Sequence, residues 1–306
     1  MPEEVFLQEN AGDGNAPLVT VAMPVFNAGE YLRLAVLSIV RQTFTDWELL
    51  IIDDGSTDNA LQDIADISDS RIRVLRDGAN RGLAARLNEA IDLARGRYLA
   101  RMDQDDVSYP DRFARQIEAL RNGTTLDLVA VRAVTISDDN KVSRIFPCAL
   151  SHKEFCARPW MGFYLPHPTW MGKIEWFRKY RYTVPGPYFC EDQELLLRSY
   201  RESRFGMVDE ILFAYRVRSR INWRKLFKTQ QTMLRIQLRH FIGARRLGFA
   251  LLAISAFIGR IVRDLFAALR QILYQTRQVP AAADSAVSSQ WCEVLKGLTE
   301  RPVRVD

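Results

Sequence analysis

Apolar and polar positions along the first hundred residues switch between the period of a strand and that of a helix. Leu18 to Val25 is a β-rich apolar run closed by the turn Phe26-Asn27-Ala28-Gly29. Tyr31 to Arg41 then puts Leu32, Ala35, Val36, Ile39 and Val40 on one helical face. Trp47-Glu48-Leu49-Leu50-Ile51-Ile52 is apolar but for Glu48, as in a strand buried on both faces of a parallel sheet, and it ends in Asp53-Asp54-Gly55-Ser56-Thr57-Asp58. Arg71 to Leu75 reads as a third strand, Leu83 to about Ala94 as a helix after Asn80-Arg81-Gly82, and Gly96 to Ala100 as a further strand. The order is written βαβαβαβ. It predicts an α/β chain with an open, twisted, mostly parallel sheet, helices on both faces, and ligands outside the carboxyl ends of the strands. Asp53, Asp54, Asp103 and Asp105 all fall at that edge.

The acidic run Asp103-Gln104-Asp105-Asp106 brings in chemistry. Three carboxylates within four residues repel one another unless a cation lies between them, and hard cations such as Mg²⁺ or Mn²⁺ take oxygen ligands. Mg²⁺ keeps several waters and bridges one or two carboxylates to phosphates, so the run suits a metal and nucleoside-diphosphate complex. A solvated acidic turn accounts for this motif equally well when it is taken alone. Asp53-Asp54-Gly55-Ser56 likewise has a plain reading as an Asx turn with a helix cap, and Glu191-Asp192 as acids at a helix N-terminus. His167, before a proline, has a plain reading as a packing residue.

Taken in order, Val21-Ala22-Met23-Pro24-Val25-Phe26-Asn27, Asp53 to Asp58, Asn80-Arg81-Gly82 through Asn88, Asp103 to Asp106, His167-Pro168-Thr169 and Glu191-Asp192-Gln193-Glu194-Leu195-Leu196-Leu197-Arg198 resemble the successive signatures of the family 2 glycosyltransferases. The resemblance spans about residues 18 to 218. It implies the GT-A fold and an inverting transfer from a nucleotide-sugar donor. Carried over residue by residue, it implies that Pro24, Phe26, Asp53, Asp54, Arg81, Asp103 and Asp105 bind the nucleotide sugar, with Asp105 as ligand to Mg²⁺ or Mn²⁺. It also implies that Asp192, beside Glu191, is the catalytic base, and that His167, Thr169 and Arg218 stand on the acceptor side. Arg198 is expected to hold the helix and its carboxylates. In one respect the chain departs from the pattern: where many relatives have Tyr-Arg-x-His, it reads Tyr215-Arg216-Val217-Arg218, and an arginine can neutralise phosphate but cannot ligate a metal.

Composition narrows the remainder. With 48% hydrophobic and 26% charged residues the chain is globular. Met1 to Pro17 has neither a positive n-region nor an apolar h-region and reads as a flexible tail without a secretory signal, which leads to an expectation of a cytoplasmic protein. The four cysteines show no metal or disulfide spacing, and neither a P-loop nor a dinucleotide fingerprint is present. The net charge of +5 hides a local excess, because residues 211 to 280 carry 14 Lys and Arg against one acid, Asp264. From about Ala244 to Tyr274 a helix would align Leu247, Leu251, Ile254, Ile258, Ile261, Val262, Leu265, Leu269 and Ile272 on one face, with Arg245, Arg260, Arg263 and Arg270 on the other. Its longest uncharged stretch, 13 residues from Leu247 to Gly259, is short of the roughly 20 that span a bilayer. The expected partners are therefore a nucleotide-sugar donor, a glycan or polyprenyl-linked acceptor and an anionic membrane surface at its inner face, with no nucleic acid. The competing account packs the same apolar face on the catalytic domain or a second subunit.

The expected organisation is a tail (1–17), a catalytic domain (18–218, with nucleotide-sugar binding over 18–110 and the acceptor side over 111–218), a basic amphipathic extension (219–280) and a C-terminal tail (281–306). Two other functions remain open at this point, a sugar-nucleotide nucleotidyltransferase and a non-catalytic nucleotide-sugar binding module. The first would need a Gly-rich basic loop after the first strand, and Pro24-Val25-Phe26-Asn27 is not one.

Overall fold

The computed structural model describes residues 16–122, 125–217, 222–274 and 285–300. Four strands, β1 (Val19–Val25), β2 (Trp47–Asp53), β3 (Ile72–Arg76) and β4 (Tyr98–Arg101), pair in parallel in the order β3-β2-β1-β4. Val19 lies opposite both Trp47 and Tyr98, and Val25 lies opposite Asp53, so the carboxyl ends of β1, β2 and β4 share one edge of the sheet. Side chains of β1 and β2 alternate between two cores. Val21, Met23, Leu49 and Ile51 pack with Leu32, Ala35, Val36 and Ile39 of α1 (Tyr31–Val40), while Ala22, Leu50 and Ile52 pack with Ala84, Leu87 and Ile91 of α2 (Leu83–Leu93). Burial on both faces is why β2 lacks polar alternation.

Two details differ from the sequence expectation. The connection from β2 to β3 contains only a short 3-10 turn, Gln62–Ile64, in place of a crossover helix. The sheet is parallel only in its first half. After β5 (Val107–Ser108) and α3 (Arg112–Arg121), β6 (Leu128–Ile136) forms a hairpin with β7 (Val142–Ile145), and α4 (His152–Cys156) follows. β8 (Met171–Lys173) runs antiparallel between β4 and β6, and β9 (Phe205–Arg216) lies parallel to β6 with β5 antiparallel at its far side. Between β8 and β9 come α5 (Ile174–Lys179) and α6 (Glu191–Ser199). Pairings this far apart in sequence leave no local periodicity to read.

The C-terminal part forms three helices, α7 (Trp223–Gly243), α8 (Leu247–Tyr274) and α9 (Ser285–Glu300). The expected helix from Ala244 starts at Leu247, after a turn in which Arg245 has φ 56°. α7 and α8 fold back on each other, with the rings of Phe241 and Phe249 5.5 Å apart at the turn and Gln230 donating to Asp264 at 2.5 Å. α8 buries its small face, Ala250 and Ala253. Leu247, Leu251, Ile254, Ile258, Val262, Leu265 and Leu269 are left exposed, and Leu251 keeps 65% of its surface. The face expected to be apolar is therefore the unpacked one. Arg260 and Arg263 do not stand opposite it as a charged pair. Arg260 is half-buried and donates to Met161 O at 3.5 Å, and Arg263 bonds Asp264. Among the described residues no helix is long and apolar enough to cross a membrane.

Residues 285–300, expected as part of a tail, form a helix docked on the α/β body. Trp291 of α9 is buried beside Tyr109 and donates to Asn140 O at 2.6 Å, and Arg41 donates to Gly297 O. A tail reading missed it because the apolar residues of α9 complement a surface built by distant strands.

Candidate active site

Two groups of functional side chains meet over the shared strand edge. In the first group, Pro24 is buried in β1 opposite Ile52, and the ring of Phe26 just beyond it is exposed. Gln104 fixes that turn from the acidic segment, accepting from Phe26 N at 2.6 Å and donating to Phe26 O at 3.0 Å. Asp53 is buried, accepts from Ser56 N at 3.0 Å and faces Arg76 at 3.3 Å. Asp54 spends its oxygens on the next loop, accepting from Arg81 N at 2.7 Å, Gly82 N at 3.0 Å and Arg86 Nε at 2.9 Å. It thus shapes the Asn80-Arg81-Gly82 turn, in which Gly82 has φ 84°, a conformation that favours glycine. Arg86 also binds Asp77 at 2.6 Å and Glu89 at 2.7 Å, and the Asp77 carboxyl is held well below its usual range by that guanidinium. The Arg81 side chain pairs with Asp77 at 2.7 Å.

At the end of β4 the acidic run is divided among different partners. Asp103 meets Arg101 at 2.6 Å. Asp106 is buried, accepts from Arg216 N at 2.7 Å and keeps its other oxygen without a hydrogen-bond partner; burial, then Asp103 and Asp105, push its carboxyl well above the ordinary range. Arg216 also donates to Asp105 O at 2.8 Å and to Ser137 O at 2.7 Å. Among the described residues no three His, Cys, Asp or Glu side chains form a group that could hold a metal ion. Such a donor set does not fit a resident ion in a protein cage. It does fit a cation that arrives with a diphosphate and takes one or two carboxylates. Arg218 lies outside the described residues.

The second group is organised around the first turn of α6. Glu191 and Asp192 sit at its N-terminus, where the helix dipole favours negative charge. Burial works in the opposite direction and dominates. Burial first, and Asp192 next, push Glu191 up to about 7, and Asp192 is raised as well, chiefly by burial. Gln193 orients the pair by donating to Asp192 Oδ2 at 3.0 Å and Phe163 O at 3.1 Å while accepting from Phe163 N at 2.8 Å. Arg198 bonds Glu194 at 2.6 Å and Arg181 O at 2.7 Å, which gives it the helix-holding position expected of it.

His167 is buried with Nε2 2.7 Å from Tyr182 Oη and its ring edge-on to Trp170. Burial and then Arg101 hold it well below its usual pKa, so the imidazole is neutral. The Tyr182 backbone is gripped by Asn88, which accepts from its N–H at 3.0 Å and donates to its carbonyl at 2.8 Å. Thr169 is fully buried and donates to Pro166 O at 2.7 Å, so its hydroxyl closes the turn that carries His167.

Arg101 joins the two sides. Only 3% exposed, it contacts Asp103 and lies near Glu191, Tyr182 and His167, while its Nε and Nη1 have no hydrogen-bond partner. Sequence reading passed over it, as it did Gln104, Arg86 and Gln193. The available signal was a charged residue ending an otherwise apolar strand immediately before the acidic run.

The model of the Glycosyl transferase family 2 matches residues 20–181. An uncharacterised glycosyltransferase of Methanocaldococcus jannaschii is 27% identical over 72% of this chain and 78% of its own length. The Escherichia coli UDP-Glc:alpha-D-GlcNAc-diphosphoundecaprenol beta-1,3-glucosyltransferase is 36% identical over 34% of this chain, a stretch that spans 41% of that enzyme. Among solved structures, Staphylococcus aureus TarS 1–349 in complex with UDP-GlcNAc superposes with a TM-score of 0.59 at 15% identity, covering 92% of this chain and 80% of the other. The mannosyltransferase of Pyrobaculum calidifontis in complex with GDP-Man and Mn2+ gives 0.54 at 16% identity, covering 94% and 89%. The GT-A sheet, the order of the motifs and the matched family model together identify the chain as a member of the family 2 glycosyltransferases, enzymes that move a sugar from a nucleotide-sugar donor to an acceptor.

Proposed function

We propose that this enzyme transfers a sugar, with inversion, from a nucleoside-diphosphate sugar to a hydroxyl of a polyprenyl-diphosphate-linked glycan during surface-polysaccharide assembly. The observation that carries this reading is Arg101, buried between the strand edge and α6, in contact with Asp103 and near Glu191 and Tyr182. The donor diphosphate lies at the end of β4 and the acceptor hydroxyl at the first turn of α6. Asp192 takes the hydroxyl proton as the oxygen attacks the anomeric carbon, and the bond from that carbon to the diphosphate breaks. Glu191 and Gln193 hold Asp192 in position, and Arg101 offsets the accumulated negative charge. A divalent cation bound with the donor supplies positive charge to the leaving diphosphate, and Asp105 is the residue that would hold it. Phe26 and Pro24 border the nucleotide, and Asp54 acts on it through the loop it shapes. His167 stays neutral and works by positioning Tyr182.

A panel of UDP-, GDP- and dTDP-sugars tests the donor assignment. One nucleotide class should raise the melting temperature in the presence of Mg²⁺ or Mn²⁺ and be slowly hydrolysed. No stabilisation by any of them would remove the reading.

The Escherichia coli relative, named for its diphosphoundecaprenol acceptor, supports a lipid-linked substrate for this chain too. The exposed leucine and isoleucine stripe of α8 and the basic excess of residues 211 to 280 support docking on an anionic membrane surface. Phe266, at 68% exposure, extends the stripe. In flotation assays the protein should rise with anionic liposomes, less so at high salt, and poorly with neutral ones. Binding indifferent to lipid charge, or unchanged after Leu251→Glu and Leu265→Glu, would instead favour covering of the stripe by protein.

A further inference from the structure

Glu191, Glu194 and Arg198 follow one another on α6 at spacings of three and four and so share a helical face. At 1.5 Å per residue Arg198 lies about 10 Å along the axis from Glu191. There a cavity of about 570 Å³ opens between α6, α7 and the segment after Tyr182, lined by Thr183, Pro185, Leu197, Arg198, Arg239 and His240 among others. Arg198 is already committed to Glu194 and to the carbonyl of Arg181. Arg239 is exposed, and no ion pair or hydrogen bond engages it among the described residues. The surroundings are basic. His240 is held below its usual pKa by burial and then by Arg246 and Arg201, against the single carboxylate of Glu194. With Arg198 paired to Glu194, which also lines the cavity, Arg239 is left as its uncompensated charge, one sugar ring and a short linker away from the catalytic carboxylates, on the helical face that bears Glu191.

We propose that this cavity binds the diphosphate of the acceptor, with Arg239 as its principal cation and the apolar walls Pro185, Leu197 and Ile236 facing the first carbons of the attached chain. The proposal rests on the reading of the acceptor as a lipid-linked diphosphate, and it gives that reading a location. It assigns a function to α7 distinct from membrane contact, and it accounts for an unpaired arginine beside an already satisfied Arg198–Glu194 pair.

Calorimetric titration of the full chain with inorganic pyrophosphate in EDTA, which suppresses the metal-dependent donor site, tests the assignment. Wild-type protein should bind pyrophosphate, Arg239→Lys should keep most of the affinity, and Arg239→Glu should lose about tenfold or more, as expected for loss of a charge-assisted contact. Geranyl diphosphate should bind at least as well as pyrophosphate, and orthophosphate more weakly. No binding by the wild type, equal affinity in Arg239→Glu, or a preference for orthophosphate over both diphosphates would overturn the proposal. Failure of the lipid-linked acceptor reading itself would appear elsewhere, as sugar transfer to a free glycan at least as fast as to its polyprenyl-diphosphate form, and would leave the pyrophosphate titration intact.

Discussion

Asp192→Asn should lower turnover by about two to four orders of magnitude while donor binding persists, because asparagine keeps the size and the Gln193 contact but cannot accept the hydroxyl proton. Glu191→Gln should be milder, since its proposed task is to hold and tune its neighbour. The pH profile carries a linked expectation. A base must be deprotonated to work, and burial raises both carboxylates, with Glu191 pushed up to about 7. Activity should therefore fall with pH already above the usual carboxylate range, as buried Asp192 takes up its proton, and Glu191 beside it should protonate through about 7. Asp192→Asn with near wild-type turnover would remove Asp192 from the role of base.

The second large effect belongs to Asp105. Asp105→Ala should abolish metal-dependent stabilisation by the donor nucleotide sugar, with little change in the melting temperature of the free protein. Arg216 is anchored to the Asp105 carbonyl oxygen, which the substitution preserves. Asp106→Ala should behave differently. Its buried carboxyl caps the Arg216 backbone, so loss of stability should accompany any loss of binding. Equal donor affinity with and without metal in the wild type would take the metal away from Asp105.

The comparison of these two aspartates shows how far sequence alone reaches. The parallel half of the sheet was legible because each of β1, β2 and β4 is an apolar run bounded by turn residues, and α1 and α2 carry one-sided apolar faces. The antiparallel half was not, since β8 is three residues long and β5 two, and only long-range pairing defines them. Within the site, residue types at the strand ends and at the start of α6 pointed to carboxylate and diphosphate chemistry. Their division of labour was not readable. Nothing local distinguishes Asp54, whose oxygens hold the Arg81-Gly82 turn, from Asp103, which faces Arg101. Arg101 itself runs against the rule that charges stay in solvent, and a buried guanidinium is intelligible only once its carboxylate neighbours are assembled in three dimensions. The α8 stripe was legible as amphipathic, but which side would pack was decided by Ala250 and Ala253, small enough to let α7 approach.

The central claim is a single in-line displacement, with the base at α6 on one side of the anomeric carbon and the diphosphate at β4 on the other. The most direct measurement is the anomeric configuration of the sugar at first release or transfer, followed by ¹H NMR before mutarotation, using the donor that stabilises the protein. The account predicts that an α-linked donor yields the β-configured product. Retention of the α configuration at the earliest time points would contradict it.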